Sequence, residues 1–216
     1  MKKVGLLLIG LTIAIFANGQ IIKIQVGTSM SKLEWKVKES NAASYYDETL
    51  LGYSIFAGID YFDKQYFNLS SNIGMIRKGG KSEVQLVDEF GLIQTLIEKP
   101  TLDYLSMNTM IDLKYRIKET TITPFISFGP RFDYLLNTSK HFDVLEELDD
   151  LKNISIGLIF GGGLKYDLSN LQFGLRADYY LDFTKVADWS TENTRIGGEI
   201  STNTFTISLT IGYRLK

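Results

Sequence analysis

The chain has 216 residues, no cysteine, one histidine, 44% hydrophobic residues and a formal net charge of −2. That length predicts one domain. The lack of cysteine excludes a disulfide framework, and the near-balanced charge excludes a basic field suited to nucleic acid.

The chain opens with MKKVGLLLIGLTIAIFANGQ: two lysines, an apolar run from Val4 to Phe16, then the small and polar Ala17-Asn18-Gly19. That order predicts a secretory signal peptide over 1–19, with cleavage before Gln20. An uncleaved anchor is the alternative, but the run falls short of the ~20 residues that usually cross a bilayer. Cleavage removes two lysines and no acid, so residues 20–216 carry 21 positive and 25 negative groups, a net of −4. No comparable apolar run follows, so the mature chain is expected to have no transmembrane helix.

From there the pattern has a period of two, the signature of strands with one apolar and one polar face. Eight segments show it, at 21–35, 50–62, 66–78, 103–117, 121–137, 153–168, 170–185 and 200–216. The last is the cleanest: Phe205, Ile207, Leu209, Ile211, Tyr213 and Leu215 alternate with Thr204, Thr206, Ser208, Thr210, Gly212 and Arg214. Short connections (DKQ, KET, LSN) alternate with long ones (KESNAASYYDE, 79–102, SKHFDVLEELDDLK, ADWSTENTRIGG). Strict alternation predicts an all-β fold, an eight-stranded antiparallel up-and-down transmembrane β-barrel with short periplasmic turns and long external loops.

The apolar face is expected to meet lipid. Its partner face is rich in Gly, Ser, Thr and Asn and carries charges of both signs, including Lys23, Asp60, Lys114, Lys165, Asp167, Asp182 and Arg214. Small groups and pairable charges suit the narrow interior of eight strands. On the apolar face Lys32 and Arg77 lie only near strand ends. Aromatics are expected as two girdles: Tyr61, Phe62, Tyr66, Phe67, Tyr115, Tyr166 and Tyr213 at the short turns, and Trp35, Tyr53, Tyr104, Tyr134, Phe183 and Trp189 at the long loops. Phe56, Ile76, Met110, Phe125, Leu135, Ile159 and Tyr180 break the pattern by falling on the inward face, through bulges or a partly apolar interior.

The stretches NIGMIRKGGKSEV (72–84), TLDYLSMNTMIDLKY (101–115), PFISFGPRFDYLL (124–136) and ISIGLIFGGGLKYDL (154–168), in that order, resemble the PorT-like family of outer-membrane β-barrel proteins. The resemblance spans essentially the whole mature chain and implies an integral outer-membrane barrel. Some relatives are tied to protein secretion, and no catalytic residue carries over. The chain departs from the general outer-membrane pattern in ending on Lys216 rather than an aromatic.

Five charges are expected at middle heights inside the barrel, Asp112, Arg131, Asp133, Arg176 and Asp178, forming a paired polar plug, with Gly161 opposite Arg176. A proton or ion path is the alternative. His141, beside Ser139 in a long loop, is read as solvated rather than catalytic. The acidic run Asp143, Glu146, Glu147, Asp149 and Asp150 lacks the spacing of a calcium loop and reads as a solvated helical turn. Gly161–Gly163 lacks the Lys-Ser/Thr of a phosphate loop. KSEVQLVDEFGLIQTLIEK (81–99) alternates weakly around Asp88–Gly91, so the third and fourth strands are expected either to continue as a ribbon that recruits a partner by strand addition or to close as a self-contained hairpin.

The reading is therefore a monomeric, non-enzymatic scaffold or interaction barrel without metal or cofactor. It would lie among outer-membrane lipid and lipopolysaccharide, with a protein partner at its external loops and no nucleic acid. The rivals are a lipid A-modifying enzyme of the outer leaflet, a soluble lipocalin-like barrel and a narrow channel.

Overall fold

The structure, a computed structural model, describes residues 20–37, 46–87, 93–115, 120–143, 145, 150–190 and 197–215. The expected signal peptide, Lys216, Asp88–Gly91 and the acidic residues Glu146, Glu147 and Asp149 lie outside these residues.

Among the described residues eleven strands follow in order: β1 (Ile21–Val37), β2 (Leu50–Asp63), β3 (Phe67–Gly79), β4 (Ser82–Val87), β5 (Ile93–Glu98), β6 (Thr101–Lys114), β7 (Ile122–Thr138), β8 (Ile154–Leu168), β9 (Leu171–Asp182), β10 (Ala187–Ser190) and β11 (Gly197–Arg214). Eight of them pair antiparallel in the cyclic order β1-β2-β3-β6-β7-β8-β9-β11. Closure comes from β1 against β11, in unbroken register from Ile21↔Arg214 to Val37↔Gly198. This joins the two ends of the sheet and leaves no free edge in the wall.

Two further pieces stand beyond the closed wall. β4 pairs with β5 as a separate two-stranded ribbon. It continues the β3–β6 hairpin, because Gly80 N–H donates to Pro100 C=O between the two ladders. β10 adds to the long-loop end of β11, so the expected connection ADWSTENTRIGG begins with a short strand.

Burial decides which face meets what. On β8, Ile154, Ile156, Phe160, Leu164, Tyr166 and Leu168 are 43–52% exposed, whereas Ser155 and Lys165 are each 8% exposed. On β11, Phe205 to Leu215 point out while Thr204, Thr206 and Ser208 are 2% exposed or less. An apolar exterior around a polar interior is the arrangement of a barrel solvated by lipid, and it is inverted relative to a soluble barrel.

The interior is not uniformly polar. Phe56, Ile76, Met110, Phe125, Leu135, Ile159 and Tyr180 are all buried inside, so the pattern breaks reflect a partly apolar interior. At the long-loop end Phe142, Leu145, Leu151, Val186 and Ala187 pack on Leu33, Ile76, Leu102 and Ile200 as an apolar cap. Two aromatics assigned to the outer girdle belong here instead. Tyr104 is 2% exposed and faces inward, and Trp35 stacks on Phe142 at 5.8 Å and 16°. Strand parity overrides position along the chain: Tyr104 has the parity of Leu102, and Trp35 that of Leu33. Tyr66, Tyr115, Tyr166 and Tyr213 do point outward at the short-turn end.

Candidate functional site

Because inward parity repeats on eight strands, charged side chains converge on the barrel axis in three groups. In the first, Lys23 Nζ (β1) lies 2.5 Å from Asp60 (β2), and Lys165 Nζ (β8) lies 2.7 Å from Asp112 (β6) and 3.6 Å from Asp60. Asn68 Nδ2 also donates to Asp112, at 3.1 Å. In the second, Arg176 Nε and Nη2 form a fork with both oxygens of Asp178 at 2.7 Å, and Nη2 donates to Ser127 Oγ at 3.1 Å. In the third, Lys78 Nζ lies 3.0 Å from Asp133 and 3.3 Å from Asp182. There Arg131 lies 3.3 Å from Asp133 and pairs with Asp182, which accepts from Thr202.

Aromatic faces complete the shells. Lys78 lies 5.1 Å from the Tyr104 ring centre, Arg131 4.9 Å from Tyr180, and Lys165 5.0 Å from Phe125. At the short-turn rim Lys114 pairs with Asp63, and Arg214 with Asp167 at 3.2 Å.

The five residues expected to form the plug are all buried, but they do not form one cluster. Arg176 pairs with Asp178 and Arg131 with Asp133, whereas Asp112 is served by Lys165. Lys78 was missed, although counting two-residue steps from Asn68 puts it on the inward face. Gly161 faces Asp178, and it is Gly163 that faces Arg176. The core charges are Lys23, Lys78, Arg131, Lys165 and Arg176 against Asp60, Asp112, Asp133, Asp178 and Asp182, five of each sign. Two cavities of about 10 Å³ touch Arg176, each with room for about one water.

The outer mouth is held by a different set. Ser139 exchanges two hydrogen bonds with Thr101: Thr101 N–H donates to Ser139 Oγ at 3.0 Å, and Ser139 N–H donates to Thr101 C=O at 2.9 Å. His141 Nδ1 lies 3.3 Å from the same Oγ. Tyr46, in the left-handed region at φ 63, accepts from Leu33 N–H at its carbonyl and donates through its hydroxyl to Glu98 at 2.6 Å. Burial, and then the Glu98 carboxylate, push the Tyr46 phenol up to about 12. Lys81 meets Glu83 and Glu48, whose hydrogen bonds hold its ammonium above the usual lysine value.

On the lipid side Arg77 makes a fork with Asp103 at 2.7 and 2.8 Å under the Tyr53 ring. A trough of about 790 Å³ crosses the wall where Ala57, Ser71 and Thr109 are small beside Ile73, Met107 and Phe132.

A closed eight-stranded barrel, apolar outside and ion-paired inside, defines a small integral protein of the outer membrane. The chain belongs to the family described as outer membrane protein beta-barrel domain, whose model matches residues 9–188. No curated protein matches it. Among solved structures it is similar to the outer membrane protein OprG from Pseudomonas aeruginosa, at 12% identity, TM-score 0.55, and coverage of 92% of this chain and 97% of that one. It also matches Neisserial surface protein A, at 13% identity, TM-score 0.45, and coverage of 90% and 97%. A third match is the Escherichia coli outer membrane protein W, at 11% identity, TM-score 0.43, and coverage of 93% and 100%. The likeness to OprG is one of fold.

Proposed function

We propose that this barrel is a non-enzymatic scaffold whose work is done at its external loops, where it engages a protein partner. As in the PorT-like barrels it resembles, that work is linked to protein secretion. The precursor loses residues 1–19, and residues 20–216 stand as a monomer among lipid and lipopolysaccharide.

The observation that carries this reading is the balanced interior. Five cations are paired with five carboxylates inside the wall, and the cavities beside Arg176 have room for about one water each. Asp112, Arg131, Asp133, Arg176 and Asp178 act with their partners as a plug that satisfies buried charge and ties non-adjacent strands together. A filled barrel leaves its outer end as the surface for recognition. Ser139 spends its hydroxyl oxygen on the Thr101 N–H, which speaks for a structural Ser139–His141 pair rather than a nucleophile and base.

Photo-crosslinkers placed at Leu96, Lys140 and Lys152, with controls at Lys64, Asn170 and Leu209, test the reading in intact cells. One protein should be captured from the outer positions and not from the controls. Lipid adducts alone at every position, or single-channel conductance in planar bilayers, would overturn it. N-terminal sequencing of the membrane form should begin at Gln20.

A further inference from the structure

Among the described residues, the β4–β5 ribbon stands outside the wall with the outer edge of β5 unpaired. Among the described residues, the backbone of β5 pairs with β4 alone, and the bridge that touches the ribbon outside this ladder is Glu48↔Lys81, at the foot of β4. Alternate residues of Ile93–Glu98 therefore direct backbone N–H and C=O groups outward.

Natural edge strands are blunted by lysine, proline or a bulge. Here the sequence IQTLIE contains neither residue type, and its register with β4 is unbroken. Leu96 is 46% exposed and Ile97 49%, so both faces of the ribbon offer apolar surface. The ribbon is also held at its foot, by Tyr46 to Glu98 at 2.6 Å and by Lys81 to Glu48 at 3.1 Å. An edge that is anchored at its foot, unbroken in register and apolar at Leu96 and Ile97 is a template for a further strand.

Charge selects what covers it. The four long connections, 38–49, 81–99, 139–152 and 185–196, contain 7 Lys or Arg and 14 Asp or Glu, a net of −7. A second copy of this chain would bring the same negative field and be repelled. A basic strand would be steered in.

We propose that the outer edge of β5 binds an extended partner segment with alternating basic and apolar residues, by strand addition. Backbone pairing to Ile93–Glu98 supplies the affinity, Ile97 meets the apolar side chains on one face of the ribbon, and Glu98 meets the basic ones on the other, where the negative field of the long connections steers them in. This rests on the interaction role proposed above and names the edge and the chemistry of the partner.

The test uses the full barrel in detergent micelles and a capped Lys-Val-Lys-Val-Lys-Val peptide as probe. Its comparators are the Glu-Val analogue and the same Lys-Val peptide with every backbone nitrogen methylated. The Lys-Val peptide should bind in a salt-sensitive manner and slow amide exchange at 93–98 at least tenfold. Both comparators should bind at least tenfold more weakly. Leu96→Lys and Ile97→Lys lie off the barrel wall and should lose the peptide while keeping the heat-dependent gel shift of the folded barrel. Equal binding of the methylated peptide, or unchanged exchange at 93–98, overturns strand addition. If cross-linking captures a partner through the other loops while the peptide fails, this proposal falls and the interaction role stands. If no loop captures a protein, the interaction role falls too.

Discussion

Gly161 faces Asp178 across the β8–β9 ladder, and a Cβ added at 161 would meet Asp178 Oδ1 at 2.0 Å. Two residues along, a Cβ at Gly163 would lie 2.9 Å from Arg176 Cα and 2.0 Å from the Leu175 carbonyl. The missing side chain at 161 is space that the Arg176–Asp178 fork occupies, whereas a side chain at 163 would collide with the β9 backbone. Gly161→Ala should therefore cost about 1–3 kcal/mol, as overpacking does in a filled interior. Gly174→Ala, whose nearest neighbour would be Thr210 Cβ at 3.3 Å, should cost less. Urea titration of the folded band on unboiled gels measures both, and equal losses would remove the fork from the explanation.

That pair also shows what the sequence could and could not reveal. Alternation assigned the eight wall strands to within three residues at each end, because lipid outside and charge inside leave one workable parity. Register was harder. Placing Gly161 opposite Arg176 treated the turn as about three residues. The actual turn is Ser169-Asn170, with Ser169 at φ 55, which pairs Leu168 with Leu171 and shifts every later partner. Contacts across the lumen were illegible for a different reason. Lys165 reaches Asp60 from β8 to β2, and Lys78 reaches Asp182 from β3 to β9, through a tilt and shear that local pattern does not encode.

Lys165 and Asp112 provide the sharpest test of the plug. Their 2.7 Å contact lies between groups that are 10% and 0% exposed. Lys165→Met alone leaves Asp112 buried without its cation, and breaking a buried pair this way costs about 3–5 kcal/mol. The double variant Lys165→Met with Asp112→Asn removes both charges and should recover much of that loss. A double variant no more stable than the single one would mean that the charges do not act as a pair.

The apolar cap should fail separately from the barrel. Phe142 is fully buried, stacked on Trp35 and set by the Ser139–Thr101 hydrogen bonds. Phe142→Ala should weaken the cap by about 3–5 kcal/mol, the usual cost of emptying a buried aromatic site. Because the wall ladders do not pass through Phe142, the loss should be local. Limited proteolysis is expected to cleave between 139 and 152 while the heat-dependent gel shift persists. Loss of the gel shift would show that the cap and wall unfold together.

Alkali should loosen the foot of the ribbon before it opens the wall. The Tyr46 phenol, ordinarily near 10, is pushed up to about 12 by burial and by its hydrogen bond to Glu98. The folded value lies above the unfolded one, so the linked stabilisation is complete below about pH 10 and is lost as pH rises through about 12. Ionised Tyr46 would lose its donor and face the Glu98 carboxylate as a like charge. Tyrosinate absorbance of the wild type minus that of Tyr46→Phe should show one group titrating near the upper value. A difference curve centred on 10 would mean that the hydroxyl does not hold Glu98 in the folded protein.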